Sequence, residues 1–237
     1  MIGGYWRSRL QRWTTFGLAV GFGLIMIAPF ALMVSTAFKP HAYVLEIPPQ
    51  LIPEAPTLDN FTRAWSSGDF ARFFFNSVVV TVSSTAISVS LSAMLGFAFA
   101  RYSFPGRRIL FALLLFTLMV PGMLLLIPQF ILARDLGLLN SLGGLIIVYS
   151  VMNLGLNTFL LRGFYSAMPK ELFDAAAVDG AGAWRQLRSI GLPLSRRGLA
   201  TVTIFSWLEA WDEFTWAITI LTDLELYTLT FGMRMLQ

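Results

Sequence analysis

The sequence predicts an all-α, polytopic transmembrane helical bundle, and three observations carry that prediction. Only 13% of the 237 residues are charged while 56% are hydrophobic, with a mean hydropathy of +0.69. A soluble domain carries about 25% charged residues to wet its surface, so most of this surface must meet lipid. The apolar residues gather in five long runs almost free of charge, each near or above the ~20 residues that cross a hydrocarbon core as a helix. The runs are uniformly apolar and do not alternate, which excludes barrel strands, and backbone groups in lipid need the internal hydrogen bonds of a helix.

The first run, Phe16–Phe38, follows Arg7, Arg9 and Arg12. It is longer than the ~7–15 residues of a signal-peptide core and no small-residue cleavage site closes it, so it reads as an anchored first span. The second run is Phe73–Ala100, the third Ile109–Ala133, and the fourth Leu136–Leu161. In the fourth, Asn140-Ser141 and Gly143-Gly144 mark a turn, placing the helix start near Leu142. The fifth run starts at Gly198 and is apolar to Leu208, then meets Glu209, Asp212 and Glu213 before Thr222. Between the second and third runs, Ser103-Phe104-Pro105-Gly106 forces a sharp reversal. The segment after the first run holds Pro48-Pro49, Pro53 and Pro56, too many breakers for one helix, although Asp59–Trp65 suits a short helix capped by Asp59.

Lysine and arginine placement sets the orientation, because these residues favour cytoplasmic segments. With an inside amino terminus, the inner segments hold Arg7, Arg9, Arg12, Arg101, Arg107, Arg108, Arg162, Lys170, Arg185, Arg188, Arg196 and Arg197. Lys39, Arg63, Arg72, Arg134 and Arg234 are the five on the other side. This bias predicts an extracytoplasmic loop at 39–72, a tight inner turn at Tyr102–Arg108 and a large cytoplasmic loop at 162–197, all within one transmembrane domain spanning 1–237. Trp6, Trp13 and Tyr102 are placed as interface anchors.

The large inner loop runs from Met168 to Pro193. Pro169 suits a first helical turn, and Glu171 and Asp174 sit where the helix dipole favours anions. Leu172, Ala175 and Ala176 fall at i, i+3 and i+4 and predict one apolar face. Asp179-Gly180 predicts the helix end through a left-handed glycine, and Ala181–Ile190 a second short helix before Pro193. Such a knob suits close approach by another protein. An amphipathic loop on the membrane surface, with Arg185 and Arg188 at the headgroups, fits the same chemistry.

This segment resembles the EAA loop of ABC-importer permeases, whose pattern is Glu-Ala-Ala, three residues, Gly, nine residues, then Ile-x-Leu-Pro. Asp174-Ala175-Ala176, Gly180, Ile190, Leu192 and Pro193 stand at that spacing, with Asp in place of Glu at position 174. The resemblance implies a coupling helix that docks in a cleft of an ATPase subunit, with Asp179 in the same corner. Asn76-Ser77, the stretch Ala100–Arg107, Leu139-Asn140-Ser141 and Trp211-Asp212-Glu213-Phe214 are similar to segments of the carbohydrate (maltose-type) branch, where the last usually reads Trp-Asn-Glu-Phe. Subunits of that branch usually have six spans, and five are visible here. Membership implies a second permease subunit, two ATPase subunits, an extracytoplasmic solute-binding protein, and residence in a bacterial-type cytoplasmic membrane among its lipids.

No phosphate-binding Gly-x-x-x-x-Gly-Lys-Ser/Thr loop occurs, and the two lysines, Lys39 and Lys170, are not in glycine-rich turns. The chain is therefore read as a transport subunit without a catalytic site, with no cofactor of its own; ATP and Mg are placed on the partner ATPase subunits. Cysteine is absent and histidine is limited to His41, so no metal site is expected, and His41 is read as a solvated loop residue. The basic residues flank spans and form no stripe for nucleic acid.

The candidates for the translocation path are Glu209, Trp211, Asp212, Glu213, Asn153 and Asn157. Glu209, Asp212, Glu213 and Trp216 fall on one helical face at i, i+3, i+4 and i+7. Glu209 lies roughly 16 Å along the helix from Gly198, past mid-membrane, where acids commonly line a polar pathway; an interfacial position among tryptophans is the alternative. Asn153 and Asn157, an i, i+4 pair, suit either the pore or helix packing, with packing favoured. A sugar or sugar-like solute is the expected cargo, with a glycerol phosphodiester as an alternative. Two other classes compete: an ion-coupled secondary transporter using Glu209 or Glu213, whose folds usually show repeats and more spans, and a non-transporting scaffold or sensor.

Overall fold

The computed structural model describes residues 3–40, 52–66 and 69–235, with side chains from residue 11 onward. His41, the Pro48-Pro49 pair and the side chains of Trp6, Arg7 and Arg9 lie outside the described residues. The chain divides into two compact units, residues 1–68 and 69–237, and the described residues form helices without strands.

In the first unit, helix α1 (Gly3–Ala37) is 35 residues long and, from Gln11 on, apolar enough to cross a membrane. Its last carbonyls have no partner within the helix. Asn60 supplies one, donating from Nδ2 to the carbonyls of Ala37 and Lys39 at 3.0 and 2.7 Å. Asn60 belongs to α2 (Asp59–Ser66), close to the short helix expected there. Asp59 sits in its first turn, and the N–H of Asp59 donates to Thr57 Oγ1. The Phe38 and Phe61 rings, 5.3 Å apart, close the joint.

The second unit is built around α3 (Asp69–Arg101), which starts four residues before the apolar run and packs against the helices that follow. The turn after it has Gly106 at φ 78°, and Arg107 Nη1 donates back to the Tyr102 carbonyl at 3.0 Å. Tyr102, expected at the membrane interface, is half-buried in this turn. Its ring packs edge-on against Phe97 and its hydroxyl donates to Gln186 Oε1 at 3.4 Å.

Three expected spans are broken. The third run divides into α4 (Arg107–Phe116) and α5 (Leu126–Asp135), with short 3-10 turns between and a bend of 101°. Val120 is extended ahead of Pro121, as a residue before proline must be. The fourth run divides into α6 (Leu142–Met152) and α7 (Leu154–Ser166), bent by 46° at Asn153. Its start is where the turn residues place it: Ser141 caps α6, accepting the Gly144 N–H at 3.0 Å. After α7 come α8 (Glu171–Val178), α9 (Ala183–Gln186), a π-turn at Leu187–Gly191 and α10 (Leu192–Leu194). The fifth run is α11 (Arg196–Asp212) and α12 (Thr215–Ile220), separated by extended Glu213. At 17 residues α11 spans about 25 Å, short of a hydrocarbon core of roughly 30 Å, so the fifth run is not one straight span. Helix α13 (Leu229–Met235) then folds back onto α3.

The core of this unit has two apolar clusters. One gathers Val80, Leu145, Tyr149, Trp216, Ile220 and Phe231; the other gathers Ala93, Phe97, Leu161, Tyr165, Phe173, Leu187 and Val202. Between them lies a belt of buried small polar side chains, Ser84, Ser88, Ser92, Thr158 and Ser206 among them. The cause is visible on α3, where Ser84, Ser88, Ser92 and Gly96 recur every fourth residue and stack on one face. Small residues let helices approach closely in lipid. A Cβ on Gly96 would stand 3.0 Å from the backbone nitrogen of Arg162 in α7.

Candidate functional site

Two regions collect the candidate residues. The first is the knob of α8 and α9. Its elbow is held by the last residue of α3: Arg101 Nη2 donates to the carbonyls of Tyr165 and Met168 at 2.6 and 2.8 Å. The guanidinium also lies 4.0 Å above the Phe173 ring, a cation–π contact, while Phe173 itself is buried against Phe97. The apolar face of α8 thus differs from the one expected. Phe173 turns inward, Ala176 is half-buried, and Leu172 and Ala175 face outward. Periodicity marked apolar positions but could not say which stripe the bundle would take.

Helix α8 ends as its sequence predicts. Gly180 has φ 76°, its N–H donates to the Ala177 carbonyl, and the Ala181 N–H reaches back to Ala176 at 2.8 Å. These are the paired bonds of a Schellman cap. Gln186 Nε2 donates to the Ala181 carbonyl at 2.8 Å, which ties the corner to α9. Asp174, Ala175, Asp179 and Gly180 are exposed, and with them Val178 (88%) and Trp184 (61%). Ile190 and Leu192 instead pack on the Phe97–Tyr165 cluster, and Pro193 is exposed at the start of the following span. The residues of the motif therefore split into an outward tip and an inward root. Arg101, Phe173, Val178, Trp184 and Gln186 escaped the sequence reading; the position of Arg101 at the very end of the second run was the available clue.

The second region lies along α11. Asn153, Glu209, Asp212 and Glu213 line one open groove of about 580 Å3. Glu209 and Asn153 also border a small cavity rimmed by Ser84, Thr85, Ser88, Tyr149 and Ser206, so the hydroxyl belt opens onto the groove. The expected single face for Glu209, Asp212, Glu213 and Trp216 does not form, because the helix stops at Asp212. The Glu213 carboxylate turns to the break. It accepts the Tyr149 hydroxyl at 2.6 Å and the N–H groups of Trp216 and Ala217 at 2.9–3.2 Å, capping α12 where helix N–H groups lack partners. Trp211 sits two residues from Glu209, about 200° around the helix. There it stacks on Trp207 and meets Phe74 edge-on. Asn157 is fully buried, donating to Ser206 Oγ at 2.7 Å and Ser88 Oγ at 3.4 Å; it bonds α3, α7 and α11 together.

The remaining family-like segments act as clasps. Asn76 Nδ2 donates to the carbonyls of Glu225 and Tyr227, both at 2.9 Å, and Ser77 Oγ accepts the Leu229 N–H at 2.7 Å. Asn140 accepts the N–H groups of Thr222 and Asp223 at 3.0 Å and donates to the Asp223 carboxylate at 2.7 Å. Among the described residues no group of three or more histidine or acidic side chains converges as a metal site would require.

A lipid-facing helical bundle with broken spans, a polar belt opening on an acidic groove and a capped knob on one end is the architecture of a transporter's membrane subunit. Residues 88–235 match the family described as the binding-protein-dependent transport system inner membrane component, and the chain belongs to that family, as a permease of the carbohydrate ABC-importer type. It is 34% identical over 216 residues to the diacetylchitobiose uptake system permease protein NgcG of Streptomyces coelicolor, covering 91% of this chain and 71% of that protein. It is 33% identical over 225 residues to the arabinooligosaccharides transport system permease protein AraQ of Halalkalibacterium halodurans, covering 92% and 80%. The fold matches a chain of a bacterial ABC transporter involved in the import of the acidic polysaccharide alginate, with a TM-score of 0.86 and 25% identity over 94% of this chain and 78% of the other.

Proposed function

We propose that this chain forms one half of the path of an ATP-driven importer for a sugar or sugar-like solute. The observation that carries the proposal is the exposed Schellman-capped tip of α8, rooted in the bundle through Arg101 and Phe173. An ATPase subunit docks on Asp174, Ala175, Asp179 and Gly180, with Val178 and Trp184 adding apolar contact. Closure of the ATPase dimer on ATP and Mg then moves the knob, and the Arg101 clamp carries that motion into α3 and α7. Ala176, Ile190 and Leu192 serve as the root that keeps the knob from yielding, and Pro193 leads the chain on into the following helix. The chain itself performs no hydrolysis. A second permease subunit completes the path, and an extracytoplasmic binding protein delivers solute.

Glu209 and Asp212 are the groove's acceptors for solute hydroxyls, since a carboxylate accepts several hydrogen bonds, and Asn153 adds both donor and acceptor. Glu213 and Asn157 hold the walls of the path, and Trp211 backs it from the far side of α11. In proteoliposomes with the complete complex, uptake should follow ATP supply and survive collapse of ion gradients. Glu209→Gln should raise the solute concentration for half-maximal uptake several-fold with assembly unchanged. Uptake driven by an ion gradient without ATP would move the reading to a secondary transporter.

The orientation adopted is an inside amino terminus, a cytoplasmic 162–197 loop and an extracytoplasmic 39–72 loop, supported by the lysine and arginine bias. Single cysteines at Ser103 and Ala183 should react with an impermeant reagent only from the cytoplasmic side, and one at Thr57 only from outside. Labelling of Ala183 from outside would overturn both topology and coupling.

A further inference from the structure

Beside the knob's root, the α3–α4 turn and the end of α7 enclose an open cavity of about 830 Å3. Arg107, Arg108 and Arg162 all line it, together with Phe104, Ile109 and Phe111. Arg162 is half-buried, with its guanidinium 4.0 Å above the Phe111 ring, and Arg107 is steadied by its bond to the Tyr102 carbonyl. The ion pairs among the described residues join Arg72 to Glu225 and Arg134 to Asp135, so none of the three arginines has a carboxylate of the described residues within ion-pair distance. Three like charges around one cavity repel each other, and an anion between them turns that cost into attraction. Arginine's planar fork matches phosphate oxygens two at a time.

The surface next to the cavity says which kind of anion. Ile109, Leu113 and Phe116 lie at i, i+4 and i+7 on α4 and are 67%, 58% and 58% exposed. They form an apolar strip leading away from the arginines along the helix axis. A cationic cavity continuous with an apolar strip has the shape and polarity of an amphiphile, whereas a free phosphate would use the cavity alone. Basic pockets between membrane helices are a recurrent way of holding anionic lipid headgroups.

We propose that this cavity binds the headgroup of an anionic phospholipid, with acyl chains lying along Ile109, Leu113 and Phe116. The inference rests on the placement of the α3–α4 turn at a membrane surface, argued above, and on nothing about the solute or the ATPase. A bound headgroup bridges α4 to α7, bracing the turn next to the Arg101 elbow.

The test uses the assembled transporter in nanodiscs of phosphatidylcholine containing a tenth cardiolipin, followed by delipidating washes and native mass spectrometry. The parent should retain cardiolipin, and the Arg107→Gln/Arg108→Gln/Arg162→Gln variant should retain about tenfold less. Arg196→Gln/Arg197→Gln, which removes two exposed arginines outside the cavity, should retain as much as the parent. If the triple glutamine variant fails to assemble, Arg162→Gln alone and the charge-preserving triple lysine variant carry the comparison, with retention falling in the first and largely kept in the second. Equal retention by the cavity variants and the parent overturns the proposal, as does equal loss from the Arg196/Arg197 control. Displacement of cardiolipin by millimolar inorganic phosphate would show a free-phosphate site and overturn it as well. Loss of ATP-driven uptake bears on the permease reading and leaves the lipid measurement intact.

Discussion

Gly180→Val is expected to cut ATP-driven uptake by roughly tenfold while leaving the bundle folded and inserted. Gly180 holds φ 76°, where a branched side chain costs about 1–2 kcal/mol, a factor of roughly 5–30 in the population of the capped corner. A Cβ there meets nothing within 4 Å of this chain, so overpacking inside the subunit contributes nothing. The remaining effect falls on whatever docks against the tip. The ATPase subunit should co-purify in reduced amount, with the permease present at normal levels. Asp174→Ala should do less, since an exposed acid in the first turn contributes about 0.3–1 kcal/mol through the helix dipole. Normal uptake and normal co-purification in Gly180→Val would sink the coupling role of the knob.

Gly96→Leu should have the opposite signature, damaging the fold first. A Cβ at Gly96 lies 3.0 Å from Arg162 N, 3.1 Å from Leu161 Cβ and 3.2 Å from the Thr158 carbonyl. Two of these neighbours are backbone atoms of α7 and cannot swing aside, so the helices must separate. Overpacking of this kind costs about 1–3 kcal/mol and sometimes more. The purified variant should melt at a clearly lower temperature and yield less protein. Gly163→Ala is the control, because a Cβ at Gly163 meets nothing within 4 Å and alanine favours the helix. Equal melting of Gly96→Leu and the parent would show that α3 and α7 are not held by this close approach.

Local chemistry made several features legible before any coordinates. Ser141 and the glycines after it announce the start of α6, Pro105-Gly106 the reversal between α3 and α4, and Asp179-Gly180 the end of α8. Each is decided within one turn of chain, by a missing N–H, a tolerated positive φ or a side chain that caps its own helix. The three broken spans are of another kind. Pro121-Gly122 stood in plain view in the third run, yet hydropathy reports the solvent a segment meets and says nothing of its straightness. The fourth run bends at Asn153 within purely local backbone bonds, whereas the break at Glu213 is filled by side-chain bonds reaching across it and in from another helix. The Glu213 carboxylate covers the N–H groups of Trp216 and Ala217, and Tyr149 from α6 holds that carboxylate in place.

The same division runs through the candidate sites. The glycine corner of the knob was readable because its residues are contiguous, and contiguous spacing survives folding unchanged. Its inward face was not readable, since the choice of Phe173 over Leu172 depends on Arg101 and Phe97 waiting at the end of α3. In the groove, the sequence alone established that acids occur deep in an apolar segment, which lipid tolerates only beside a polar cavity or partner. Tertiary structure alone sorted them: Glu209 and Asp212 face the groove, Glu213 caps a helix, Asn157 fastens three helices and Trp211 faces away. A side chain's type follows from its own residue, but its partner follows from helices that meet only after the chain has folded.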